Sequence, residues 1–466
     1  MGLDRVAVVG GGITGLAAAL RVRQRLPGAR ITVYEGSPAL GGKLRTGTLD
    51  GRQVELGAEA FLCRDPAGGD SAVLALAREL GLGDELVHPA TGRAAIAVNG
   101  LLLPIPAGTL VGVPGDPGAL PPLAHPTADD RDTGAPLLGP DEDVAVGALV
   151  RARLGDEVAD RLVDPMLGGV YAGRADHLSL AATMPGLARA CRQEHTLAGA
   201  VRHALGALPR SPGQPVFATI AGGLTRLVDA TAAATAARIS LGAPVRELSR
   251  DGHQWRLVHG PTRAPVVENA DAVILAVPAR PAARLLDQLE PGAAGLVGAL
   301  DYASLALVTF VLPAGATLPE LSGLLAPASP ELLVKAATFF SAKWEHLRQH
   351  DGAVLLRASV GRHGDERALQ RDDDALAAAV LGDLNRLLPA PLPAPLASHV
   401  QRWGGALPQY RPGHLDRVAA ARAALAAHPT LALAGAAYDG VGIPVCVKSG
   451  QAAADHIMQA LTEGTP

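Results

Sequence analysis

Residues 5–20 read RVAVVGGGITGLAAAL. Four apolar residues run into three glycines, and a helical apolar pattern follows at once. The first six residues read as a short buried strand, and residues 13–26 as a helix that stops at Pro27-Gly28. RITVYE at 30–35 is then a second strand, so the chain opens with a βαβ unit of a parallel sheet. The turn Gly10-Gly11-Gly12-Ile13-Thr14-Gly15 contains the spacing G-x-G-x-x-G. A first glycine makes the tight turn, a second lets a pyrophosphate reach the backbone, and a third lets the helix pack on the strand. Glu35 lies 20 residues beyond Gly15 at the end of the second strand, where a carboxylate accepts hydrogen bonds from ribose hydroxyls. The strand, the turn and the acid together point to a dinucleotide.

The rest of the composition bounds the alternatives. The chain has 466 residues, 48% hydrophobic and 18% charged, with a formal net charge of −4. That length suggests two or three domains with substantial cores. Aromatic residues are only 3%, so Leu, Val and Ala must fill those cores. No long basic run appears, which argues against nucleic-acid binding. The three cysteines, Cys63, Cys191 and Cys446, are far apart and form no CxxC pair, which fits a reducing cytoplasm. The first apolar run is broken by glycines and is no signal peptide. No apolar run reaches membrane-spanning length; peripheral membrane contact stays open.

Along the chain, residues 71–82 read as an amphipathic helix. Residues 104–140 are rich in Pro, Gly and Asp, and their segment 111–140 is expected to be disordered or to act as a lid. Helices are expected at 144–154, 157–167 and 187–208, then a helix at 224–237. Strand-like stretches follow through 238–277, at 305–312 and at 353–360, with a helix over 376–388. A last buried strand, LALAG, covers 431–435. Strands recur late, so the N-terminal sheet is expected to recruit its last members from the C-terminal part.

Three further stretches extend the dinucleotide reading. GSPALGGKLRTGTLDG (36–51) carries Gly41-Gly42 and Lys43. ELGAEAF (55–61) follows it. Near the end stands AGAAYDGVGIPVCVKSGQAAADHI (434–457). Together they resemble the flavin amine-oxidase-like superfamily, in which the first two segments line FAD and the C-terminal strand–turn–helix returns to the flavin. Gly440 and Gly442 would pass under the flat ring. A helix starting near 448–450 would aim its positive end at the pyrimidine edge.

Other stretches narrow the resemblance: LVDPMLGGVYAGRADHLSLAATMP (162–185), FATIAGGLTRLVDA (217–230), KAATFFSAKW (335–344) and RWGGALPQYRPGH (402–414). In this order they resemble the oxygen-dependent protoporphyrinogen/coproporphyrinogen III oxidases of haem biosynthesis, over almost the full length and in an actinobacterial style that implies coproporphyrinogen III as substrate. The resemblance implies an α/β fold of three regions. A Rossmann-like FAD-binding domain spans 1–70, 216–285 and 400–466. A mixed-sheet substrate domain spans 71–110 and 286–399. A helical insertion spans 111–215. It also implies a porphyrinogen losing six electrons in three flavin cycles, with O2 as acceptor and H2O2 as product. Hydride transfer needs geometry and a dry pocket, so no catalytic triad is expected.

The resemblance carries non-covalent FAD contacts to Gly10, Gly11, Gly12, Ile13, Thr14, Gly15, Glu35, Gly36, Lys43, Gly57, Ala58, Glu59, Ala60, Val245, Trp403, Val441, Gly442 and Ile443. For Val245 an ordinary strand valine is an equal reading. A substrate with four propionates needs cations. Arg93 matches a family arginine that meets a carboxylate, and Arg64, Lys335 and Tyr171 are the next candidates, each with a structural role as the competing reading. Cys446 reads as a packed residue, and His125 and His414 have no partner at a recognisable spacing. Three rival readings remain open: protoporphyrinogen IX as substrate, another flavin oxidoreductase such as an amine oxidase or carotenoid desaturase, and an inactive FAD-binding scaffold that partners other haem-synthesis enzymes. Substrate preference or a colourless purified protein would separate them.

Overall fold

The structure, a computed structural model, describes residues 5–98, 100–209 and 213–463. The opening strand Arg5–Val9 sits at the centre of a five-stranded sheet. Arg30–Tyr34 and Arg238–Ser240 lie on one side, and Ala272–Leu275 and Leu431–Leu433 on the other, all parallel. The late recruitment of C-terminal strands is as expected. Strand order reverses direction at Arg5–Val9, so a crevice opens at its carboxyl end, where open α/β sheets bind ligands.

Small residues decide how this sheet is covered. Helix Ile13–Arg25 and the C-terminal helix Ile443–Glu463 bury Ala18, Ala19, Val22, Ala453, Ala454 and Ile457 on one face. The two helices cross closely because Gly450 carries no side chain: a Cβ there would lie 2.1 Å from the Thr14 carbonyl oxygen. The other face packs against the antiparallel strands Val245–Asp251, Gln254–His259 and Val266–Ala270 and the helices Ala279–Leu286, Pro291–Gly298 and His414–Ala424.

A second, seven-stranded mixed sheet runs in the order Ala397–Gln409, Asp301–Leu312, Val354–Val360, Val334–Thr338, Gly323–Leu325, Ala94–Val98, Leu101–Pro104. Alternation along each strand gives it two unlike faces. Val308, Phe310, Leu356, Ala358 and Val400 pack under helix Asp373–Leu387. The opposite face turns toward the first sheet and the helical region. Strand Ala397–Gln409 is the edge of this mixed sheet, so the boundary expected at 400 falls inside a strand. Its thirteen residues are held there by pairing along the length of Asp301–Leu312.

The helical region differs from expectation at three places. The helix expected over 157–167 starts at Asp156, passes through a π turn at Ala159–Val163 and continues as Asp164–Tyr171, taking in the two glycines of GGVY. The helix expected over 187–208 is two, Pro185–Cys191 and Leu197–Gly206. Thr196 caps the second, and Asp130 accepts from the Leu197 and Ala198 amides at 2.9 and 2.8 Å. The Pro-rich segment supplies that aspartate, and it packs against the helices. Val113, Leu123, Ala124 and Leu138 are buried among them, because scattered apolar residues between the prolines find a core to enter. No helix among the described residues is long and apolar enough to cross a membrane.

Candidate active site

The turn after the first strand is built from close approaches. Gly10 adopts φ +112°, and a Cβ there would sit 2.4 Å from the Ala276 carbonyl oxygen. A Cβ on Gly15 would sit 1.9 Å from the Gly10 carbonyl oxygen. Gly12 caps helix Ile13–Arg25 without any side-chain cap, and a Cβ on it would meet nothing within 4 Å. No N-cap side chain therefore satisfies the first-turn amides. Gly41 donates to the Gly11 carbonyl at 2.9 Å and bridges Gly12, so a second glycine pair closes the other side. Glu35 accepts from the Gly11 and Ser37 amides, both at 2.7 Å. Ala243 donates to the Glu35 carbonyl at 2.8 Å, which places Gly36 and Val245 along the same edge.

Lys43 lies beside this cradle with no carboxylate partner among the described residues, and burial pushes its ammonium down. Gly57 is required next to it, since a Cβ would lie 1.9 Å from the Lys43 carbonyl oxygen; Ala58 donates to that same oxygen at 3.0 Å. The C-terminal helix begins at Ile443, five residues before the expected start, because Pro444 is tolerated in a first turn where its missing N–H has no helical acceptor. Val441 and Gly442 immediately precede it. Ile443 and Cys446 pack in the same core cluster as Ile13 and Leu16, so this second helix start lies by the first. Two neighbouring helix starts, a paired glycine turn, an acid and a lone ammonium form a set that fits a diphosphate with a ribose at one end.

The Glu59 side chain is engaged within the protein, which leaves its backbone for the cofactor contact expected of this segment. Its carboxylate pairs with Lys343 and, at 3.2 Å, with Arg357. Arg357 Nη1 also donates to the Glu55 and Gly57 carbonyls, both at 2.8 Å. This buried network ties the segment 55–60 to the mixed sheet, and Ala60 packs beside Phe340 and Trp344 in the same region. Trp403 adds a second tie, its indole donating to the Leu56 carbonyl at 2.8 Å with the Arg45 guanidinium 5.4 Å from its ring.

Strand register defines the floor of the cleft. One row crosses the mixed sheet as Gln401, Leu307, Ser359, Ala336 and Leu325, and the next as His399, Thr309, Arg357 and Thr338. Trp403 stands opposite Leu305 on the same face. Gln401, Ser359, Ala336, Thr338, Leu325 and Trp403 are only half-buried. Lys335 sits where the register slips, buried, with its ammonium donating to Ser359 Oγ. Tyr171 ends the helix Asp164–Tyr171 that packs on this sheet. Its ring meets Tyr410 edge-on at 5.7 Å, and burial raises its hydroxyl to about 12. Arg93 immediately precedes the mixed-sheet strand Ala94–Val98, and Arg64 bridges Asp70. The Arg93 side chain is 69% exposed and pairs with Glu320, and Arg64 donates to the Gln214 carbonyl at 2.9 Å. His414 is buried against Tyr410, and burial pushes its imidazole down to about 4; His125 is exposed beside Glu157.

The family of flavin-containing amine oxidoreductases matches residues 13–458. The chain belongs to that family. Its relatives include a coproporphyrinogen III oxidase from Mycobacterium tuberculosis, 38% identical over 97% of both chains. A coproporphyrinogen III oxidase from Bacillus subtilis is 32% identical over 99% of this chain and 98% of its own. A crystal structure of a protoporphyrinogen oxidase from Exiguobacterium superposes with a TM-score of 0.82 at 32% identity, covering 99% of this chain and 100% of that one. A flavin is thus the cofactor of this oxidoreductase family. Sequence reasoning missed Arg357, Arg362 and Ser359. The signal for the first was present: an arginine inside the apolar strand VLLRASV is a buried charge that requires a partner.

Proposed function

We propose that the chain is an oxygen-dependent coproporphyrinogen III oxidase that holds FAD non-covalently. The observation that carries this reading is the likeness to coproporphyrinogen III oxidases over nearly the whole of both chains. Gly10–Gly15 with Gly41 would cradle the diphosphate, Glu35 would take the ribose, and Gly36 and Val245 would edge the adenine. Lys43, Gly57, Ala58, Trp403 and the start of the C-terminal helix at Val441, Gly442 and Ile443 would surround the ring system. Bound FAD would accept hydride from the substrate and pass its electrons to O2.

The protein's own residues do the rest. The rows of the mixed sheet present a floor on which Leu307, Leu325, Ala336 and Trp403 alternate with polar residues such as Gln401, Ser359 and Thr338, suited to a macrocycle with acidic arms. Leu305 and Leu307 supply apolar contact, and the Glu59–Arg357–Lys343 network holds the floor at a fixed distance from the glycine cradle. Cys446 stays a thiol: burial raises it, and its Sγ lies 3.6 Å from the Gly440 carbonyl oxygen. This supports a non-covalent cofactor.

A second reading, protoporphyrinogen IX as substrate, is favoured by the Exiguobacterium structure. The deciding experiment follows porphyrin fluorescence aerobically with each porphyrinogen side by side, against autoxidation without enzyme. Faster gain with coproporphyrinogen III is expected. Preference for protoporphyrinogen IX moves the protein to the second reading, and no gain with either in flavin-loaded protein overturns both.

A further inference from the structure

The cleft side of the mixed sheet carries more buried positive charge than its carboxylates balance. Lys335 is 2% exposed, and no carboxylate lies within ion-pair distance of it among the described residues; its ammonium has only the Ser359 hydroxyl. Ser359 belongs to the cleft-facing row and is partly open while its neighbours Ala358 and Val360 are fully buried. Arg362 follows the same strand, with its side chain 8% exposed. Its Nη2 donates to the Ala326 carbonyl at 2.8 Å, but Nη1 is buried without a hydrogen bond.

The nearest acid to that nitrogen, Asp164, is 3.9 Å away and already engaged. One of its oxygens accepts from the Ala175 amide at 2.8 Å, and the other lies 3.6 Å from Arg174. Arg357, on the strand that carries Ser359, shares Glu59 with Lys343. The helix Asp164–Tyr171 makes room for the Arg362 guanidinium through Gly168, whose Cβ would lie 2.6 Å from Nη1. Buried charges left this far from compensation are costly, and an anion in the cleft relieves that cost.

We propose that Lys335 and Arg362, with Ser359 at the cleft surface, form a carboxylate-binding subsite that takes one acidic side chain of the substrate. The inference rests on the porphyrinogen reading for the identity of the substrate. Burial, with Arg362 and Arg357 facing it, lowers the Lys335 ammonium to about 7. From the covering helix only Asp164 and Tyr171 are titratable toward this region, and the Tyr171 phenol stays neutral. Above about pH 7 Lys335 is increasingly neutral while Arg362 keeps its charge, so carboxylate binding draws a proton to Lys335 and weakens by up to about tenfold per pH unit. Below that pH the ammonium is already present and the dependence flattens.

The test uses the flavin-loaded enzyme and its Lys335→Met and Lys335→Arg variants. Steady-state kinetics are measured with coproporphyrinogen III and with its tetramethyl ester, which has no carboxylates. Binding of oxidised coproporphyrin III is followed by fluorescence quenching between about pH 6 and pH 9. Lys335→Met is expected to raise KM for the acid about ten- to a hundredfold, the worth of a charge-assisted bond, with kcat and the ester little changed. The pH slope of binding should vanish in it. Lys335→Arg should restore affinity without the slope, which a merely structural lysine would not do. An unchanged KM for the acid in Lys335→Met overturns the subsite. So does a fall in kcat at constant KM, which would make Lys335 a proton acceptor instead. A wild-type enzyme that binds coproporphyrin III with the expected pH slope but oxidises no porphyrinogen would sink the catalytic reading alone and leave the subsite standing.

Discussion

Glu55 shows how one side chain can set a pH dependence. It is 4% exposed, its carboxylate accepts from the Leu224 amide at 2.8 Å, and Thr46 donates to it at 3.1 Å. Burial outweighs those bonds and the nearby Arg357, and raises the acid from 4.5 to about 7. The folded protein therefore holds this proton over a window in which the unfolded chain releases it. Stability is greatest below about pH 4.5 for this group and declines as pH rises through 7, by on the order of 3 kcal/mol in all. Glu55→Gln keeps an acceptor for Leu224 and has nothing to titrate. Urea unfolding at about pH 5 and about pH 7.5 should show a smaller decline in the variant than in the wild type. Parallel declines would mean that Glu55 ionises freely in the folded state.

Among the elements, the C-terminal helix Ile443–Glu463 bears most on the site, because its start faces the cradle and its body lies on helix Ile13–Arg25. Gly450 governs that crossing. Gly450→Ala puts a methyl 2.1 Å from the Thr14 carbonyl oxygen, so the helices must separate. The cost expected of such overpacking is about 1–3 kcal/mol, and the displaced helix start should loosen the flavin. Thermal unfolding and flavin retained after gel filtration measure the two effects. A lower melting point with full flavin retention would show that the helix start is positioned independently of the crossing.

At the scale of the whole molecule, the question is what holds two sheets, distant in sequence, around one cleft. Glu59, from the first region, meets Arg357 of the mixed sheet and Lys343 of the short helix Phe340–Lys343 in a buried set. Glu59→Gln leaves two buried cations facing a neutral amide. A loss of about 3–5 kcal/mol is expected, as for a broken buried pair, together with weaker flavin binding because the floor shifts against the cradle. Denaturant unfolding of flavin-loaded and flavin-free protein measures both. A loss below about 1 kcal/mol would mean that water already reaches the network.

The sequence alone determined the parallel sheet, the glycine turn and the place of Glu35 at the end of the second strand. Each rests on local spacing: period two in the strands, period 3.6 in the helices, and glycines where two backbones must touch. It also carried the family, through stretches whose order survives without coordinates. Only the tertiary structure decided which charges face one another. Arg93, named through the resemblance alone, has Glu320 beside it, while Arg362 drew no notice and lies buried beside Asp164. The Pro-rich segment looked loose and is pinned by four apolar residues and one capping aspartate, Asp130. A side chain's partner across a sheet depends on register between strands far apart in the chain. Register is set by the packing of whole faces, which no single stretch encodes.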